Sequence, residues 1–347
     1  MSEAVTANLL APGVFDGVAT TREEPLAFTS QRAQSQNTGR TWHVPSGSPV
    51  GPPILSFPSD RSSWAFDVLP GPGGDAPLVA WADRQCLRVR HLGTGTEITI
   101  DPKRPKPPVS VGLAVHCGTA AVVAVFGPVD AEVVVWDAFT GDQRAVFGVW
   151  LGHWAGLDRW ILHLTGPLIG LMCDTEQIDE WDDGTVDVVD AYYLAVWDIE
   201  RGEEITSFPS PGCRRAAAVD GPDGASLIRP EYPGVLECRL DGRRVTALQT
   251  PDLPEQVAAA TVAGRLLVAA DVPNDPCLLL AWDAAHPASC HRIAFPGMVN
   301  DLAFTADGIL LAATDEGPLH GCRPDLMRRA TAPVPHCSKR AWGGGGA

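Results

Sequence analysis

No window of this 347-residue chain keeps apolar residues at the i, i+3, i+4, i+7 spacing of an amphipathic helix. No apolar run approaches the ~18 residues needed to cross a bilayer, which predicts no membrane insertion. The first ten residues, MSEAVTANLL, carry an acid where a secretion signal carries positive charge, so the expected compartment is the cytoplasm. Cysteines number nine, an odd count, widely spaced and with no CxxC, which argues against a disulfide framework or a zinc site. Lysine is scarce: Lys103, Lys106 and Lys339 are the only ones among 26 basic residues, a bias pointing to a GC-rich bacterial genome. With a net charge of −16 and no basic stripe, the chain has nothing to hold phosphates, and no nucleic-acid partner is expected. Enzyme signatures are absent too: no GxSxG elbow, no HExxH, no GxxxxGK[ST] and no GxGxxG. The nine histidines are scattered, and those within strands (His116, His163, His320) read as packed residues. No catalytic residue and no cofactor is assigned.

What the chain does have is turns and repetition. Gly (35) and Pro (31) are spread throughout, as frequent turns require, and 45% hydrophobic residues suffice for a core. The stretch VVVWDAFTG (133–141) returns as LAVWDIERG (194–202) and, in its core, as LLAWD (279–283). Around these copies a pattern of four short strands recurs, spanning 14–55, 64–100, 109–147, 159–208, 214–249, 256–295 and 298–332. Positions equivalent to the motif tryptophan (42, 90, 136, 197, 238, 282 and 322) are separated by 48, 46, 61, 41, 44 and 40 residues. A period of ~40–45 residues is that of a four-stranded propeller blade. Asp223-Gly224 and Asp307-Gly308 fall between first and second strands, where a tight turn needs positive φ, while Asp83, Asp174, Asp271 and Asp315 follow second strands.

On Trp136-Asp137, Trp197-Asp198, Trp282-Asp283 and the Gly152-His153 pair, residues 9–332 resemble the WD-repeat propeller family. The resemblance implies an all-β fold, a seven-bladed β-propeller of four-stranded antiparallel blades. It also implies a polar network in which a Gly-His histidine, a strand-two hydroxyl, a turn aspartate and the tryptophan meet. In the fourth repeat His153, Asp174 and Trp197 are present, but the hydroxyl is missing from LIGLMC. The expected domain is 9–335, preceded by a segment (1–8) and followed by a tail (336–347). Ring closure has two candidates, AVTANLL (4–10) and LMRRATA (326–332).

The fourth repeat is interrupted by DTEQIDEWDDGTVDVVD (174–190), with eight carboxylates and no base. Asp179, Asp183, Gly184, Asp187 and Asp190 nearly reproduce a Ca²⁺ loop, although Trp181 occupies a ligand position. The plainer reading is a hydrated acidic loop. Family analogy sets this insertion on one face with the connections 149–158 and 101–108. That arrangement gathers Trp150, Trp154, Trp181, Asp182, Asp183, Lys103, Arg104 and Lys106 as a candidate partner surface. Lys103 to Pro108 reads either as a semi-rigid polyproline stretch or as an exposed connection that neutralises the acids. The function expected is a non-catalytic scaffold, monomeric by itself, for a protein or peptide partner. The alternatives are a hydrolase or lyase at the mouth of a central channel and a Ca²⁺-stabilised module.

Overall fold

A computed structural model describes residues 8–11, 17–20, 26–31, 37–56, 64–71, 74–83, 86–127, 130–150, 161–180, 186–209, 216–221, 224–231, 234–239, 244–288, 290–295, 297–305, 307–315 and 317–322. Among the described residues the regular structure is all strand, in seven four-stranded antiparallel sheets. β1 (Asn8–Ala11) comes first. Sheet I is β2 (Gly17–Thr20), β3 (Leu26–Gln31), β4 (Asn37–His43) and β5 (Ser48–Ser56). Sheet II is β6 (Trp64–Gly71), β7 (Gly74–Asp83), β8 (Cys86–His91) and β9 (Glu97–Ile100). Sheet III is β10 (Ser110–His116), β11 (Thr119–Phe126), β12 (Asp130–Asp137) and β13 (Gln143–Trp150). Sheet IV is β14 (Ile161–Thr165), β15 (Leu168–Glu180), β16 (Val186–Asp198) and β17 (Glu203–Pro209). Sheet V is β18 (Ala217–Gly221), β19 (Gly224–Glu231), β20 (Gly234–Arg239) and β21 (Arg244–Gln249). Sheet VI is β22 (Val257–Val262), β23 (Arg265–Asp271), β24 (Leu278–Asp283) and β25 (Cys290–Ala294). Sheet VII takes β26 (Val299–Phe304), β27 (Leu310–Thr314) and β28 (Gly317–Cys322), and its fourth strand is β1.

The stretch 133–136 shows why such strands are apolar on both sides. A strand's side chains alternate between faces. Val134 and Trp136 pack with Leu78, Val89 and Ile100 of sheet II, whereas Val133 and Val135 pack with Ile169, Leu171 and Ala195 of sheet IV. Each sheet is therefore sandwiched between two others. One apolar cluster bridges each consecutive pair of sheets, and the last joins Ala27 and Trp42 of sheet I to Leu311 and Ala313 of sheet VII. The first strands adjoin in sequence order from β2 to β26, and β26 adjoins β2 again. Thr20 Oγ1 donates to the Phe304 carbonyl across that last junction. The result is a closed ring, an all-β propeller.

Ring closure also uses the N-terminus, because β1 pairs antiparallel with β28 at Asn8↔Gly321 and Leu9↔His320. The competing segment 326–332, like the tail, lies outside the described residues. Gly112 on β10 lets the first strands of sheets III and IV approach closely, since a Cβ there would sit 2.5 Å from Ile161 Cβ on β14. At Asp307-Gly308 the turn forms as the sequence requires, with Gly308 at φ 85° and its N–H on the Thr305 carbonyl.

Candidate functional site

The motif tryptophans are packing residues. Trp136 and Trp282 are buried against the preceding sheet, and Trp197 stacks on Phe147 of sheet III at 5.5 Å. The aspartate after each organises the turn into the fourth strand. Asp137 Oδ1 accepts the N–H groups of Phe139 and Thr140, its carbonyl accepts from Gly141, and Arg144 binds Oδ2 at 2.9 Å. Asp198 repeats this with Glu200, Arg201 and Gly202. Gly141 (φ 76°) and Gly202 (φ 67°) supply the left-handed residue that ends both turns. Burial pushes the Asp137 carboxyl up, but those N–H donors and Arg144 outweigh it and leave it below the usual carboxylate range. In sheet VI no glycine follows, and Asp283 is held by Arg265 Nε and Nη2 and by the Ala285 N–H.

Of the network implied by the family, His153 lies outside the described residues. Asp174 is not in a turn: it pairs with Tyr192 inside β15 and β16, because the strand runs on to Glu180. The tryptophan–hydroxyl half of such a network occurs instead in sheet I, which has no Trp-Asp dipeptide. There Trp42 Nε1 donates to Thr29 Oγ1 at 2.9 Å, with both groups buried. The sequence signal was a threonine on the second strand opposite the end of the third. Trp42→Phe and Thr29→Val should each destabilise, with a coupling of ~1 kcal/mol in a double-mutant cycle read by urea unfolding. Sheet II replaces the tryptophan by Arg90, whose guanidinium lies 5.9 Å from the Trp81 ring and binds Glu97 at 2.7 Å.

The irregular material is in sheet IV. Residues 174–180 and 186–190 are not loop but the outer parts of two long paired strands, β15 and β16 having 13 residues each. β14 pairs only with Leu168–Leu171, and β17 only with Tyr193–Asp198. Beyond Cys173↔Tyr193 the two strands pair with each other from Asp174↔Tyr192 to Glu180↔Val186. Seven residue pairs at ~3.3 Å per residue make a ribbon about 20 Å long. Register sets Glu176 opposite Asp190 and Asp179 opposite Asp187. Like charges directly opposite one another are unfavourable, so this ribbon is poorly stabilised by itself. A Ca²⁺ loop wraps its twelve residues around the ion. Here Asp179, Asp187 and Asp190 stand on extended paired strands, and Asp183 lies outside the described residues.

In antiparallel sheets whose first strands run side by side, the hairpins between strands two and three share an end with the connections between sheets. The ribbon and the 101–109 connection therefore leave from the same face. Trp150 is on that face too, but as the last residue of β13, opposite Asp130, because β13 runs three residues further than the repeat pattern drew it. Trp154, Trp181 and Asp182 lie outside the described residues. Lys103 to Pro108 is no continuous polyproline segment: Lys103 is left-handed (φ 51°), its N–H bonds Asp101 Oδ1, and the chain bends at Pro105 and Lys106. Pro102 and Pro108 are buried, and Arg104 is engaged by Glu132 at 2.6 Å with Phe126 beneath it. Arg104 thus anchors the connection to sheet III rather than neutralising the acidic stretch. Lys103 and Lys106 are exposed and form no ion pair among the described residues.

No protein-family model and no curated protein matches the chain. Its backbone is similar to a solved structure of U3-55K, a WD40 β-propeller, with a TM-score of 0.56 at 12% identity, covering 93% of this chain and 100% of that one. As many as 804 solved chains match, so the likeness specifies the propeller and not a task.

Proposed function

We propose that this chain is a non-catalytic interaction scaffold: a divergent, seven-bladed member of the WD-repeat family that offers its ribbon-bearing face to a protein or peptide partner in the cytoplasm. The observation that carries the reading is the sheet IV hairpin. A ring whose other strands stop at ten residues or fewer sends one pair of 13-residue strands outward. That pair holds opposed acids which water and salt screen incompletely and which a basic partner would relieve. A rigid ring with one exceptional projection suits recognition, since the ring fixes the projection's direction and the ribbon supplies specificity. Lys103 and Lys106 on the same face add a second charged contact of opposite sign.

A photo-crosslinking amino acid at Val188 in the ribbon should capture partner protein in cells of the source organism. The same probe at Thr140, on the opposite face, should capture little. Equal capture from both positions would refute the assignment of the face.

A further inference from the structure

The connection between sheets V and VI (250–256) is fastened by one buried acid. Asp271, the last residue of β23 and 8% exposed, accepts the Glu255 and Gln256 N–H groups on Oδ1, each at 2.9 Å. Its own N–H returns to the Gln256 carbonyl. Gln256 extends the contact to sheet VII, its Nε2 donating to the Asn300 carbonyl on β26 at 2.7 Å. Its Oε1 is buried and has no hydrogen-bond partner among the described residues. The connection, sheet VI and sheet VII thus meet through a single carboxylate and a single amide.

We infer that this junction is a pH-responsive clamp, closed while Asp271 carries a proton and loosened when Asp271 ionises. A neutral Asp271 keeps both accepted bonds and brings a donor to a junction whose buried Gln256 Oε1 has none among the described residues. An ionised Asp271 is a desolvated charge; the connection carries Asp252 and Glu255, the turn after β23 Asp275, β26 Asp301, and β25 the bases His291 and Arg292. Of these Glu255 acts on it directly. Opening the connection lets water reach Asp271 and parts it from the exposed Glu255, so ionisation favours the open form. Burial, with Glu255 adding to it, holds the Asp271 carboxyl at about 6 against 3.8 for a free aspartate, despite the N–H donors that oppose the rise. A carboxyl raised by folding stabilises the closed form fully below pH 3.8, and that stabilisation is lost as pH rises through about 6.

Sheet VII supplies an internal reference. Its corresponding acid, Asp315, accepts the Met298 N–H at 2.7 Å but is exposed to solvent. Amide exchange of Glu255 and Gln256, corrected for intrinsic rate and referred to Met298, should rise on the order of 30-fold between pH 4.5 and 7.5, the change that linkage gives for such a shift. Asp271→Asn, which retains the acceptor, should abolish the rise. Glu255→Gln should keep it and move its midpoint to lower pH, a result independent of whether the first variant folds. Exchange at 255 and 256 that keeps a constant ratio to Met298 across the range would overturn the clamp, as would a rise of undiminished size in Asp271→Asn. The clamp rests on the junction alone, so its failure would leave the scaffold reading untouched.

Discussion

Trp282→Ala should destabilise the ring by about 4 kcal/mol, among the largest costs of any single truncation here. Trp282 is 2% exposed and fills the space where β24 of sheet VI meets Val219, Ile228, Val235 and Leu248 of sheet V. Removing an indole from a close-packed interface forfeits its transfer energy and leaves a cavity whose walls, built from two sheets, cannot collapse together without shifting the ring. Trp197 makes the internal comparison. It carries the same motif but is only half-buried and stacks on Phe147, so its truncation should cost about 2 kcal/mol, less than the buried case. Equilibrium urea unfolding of the two variants checks the order. Equal losses would mean that burial between sheets is not what the motif tryptophan contributes.

Removal of residues 1–11 should be as severe by a different route. β1 is the fourth strand of sheet VII and the only partner of β28 on that side, so its loss bares a sheet edge and unfastens the last sheet from the chain's beginning. Three register pairs carry backbone bonds worth ~1 kcal/mol each, a cost of about 3 kcal/mol. The exposed edge of β28 would also invite association. The truncated protein should melt lower and aggregate on heating, and a synthetic peptide of residues 1–14 added in trans should restore the melting temperature. A truncated protein as stable as the full chain would show that β1 contributes nothing to closure.

The repeats were legible in the residues because each inner strand is covered on both faces, so runs such as VVVW and LLLAW stay apolar throughout and stand out against their turns. The turn aspartates were legible for a similar reason: Asp137 and Asp198 act within seven residues of themselves, and short-range chemistry shows in short sequences. Closure was legible only as a choice between AVTANLL (4–10) and LMRRATA (326–332), of which the first supplies most of β1. NLLA is too short to be told from any other apolar tetrapeptide, and its partner lies some 300 residues away. The acidic composition of 174–190 points to a hydrated loop, whereas its described residues pair as strands. Val186, Val188 and Val189 have the β-branched character of a strand, and the opposed carboxylates that make the ribbon unusual appear only once register is known. Thr29 and Trp42 form a bond in a repeat that lacks the dipeptide, which no motif search would have visited.

The claim that the ribbon is what this propeller exists to present can be tested by trimming it. Replacing residues 175–191 with Asn-Gly would close the hairpin at Asp174↔Tyr192 with a two-residue turn and leave every pairing of β14 and β17 in place. The trimmed protein should melt as the full chain does, because the ribbon pairs only with itself. In quantitative affinity capture from the source organism it should lose the partners that the full chain enriches. A trimmed protein that melts normally and captures the same partners in the same yield would contradict the account.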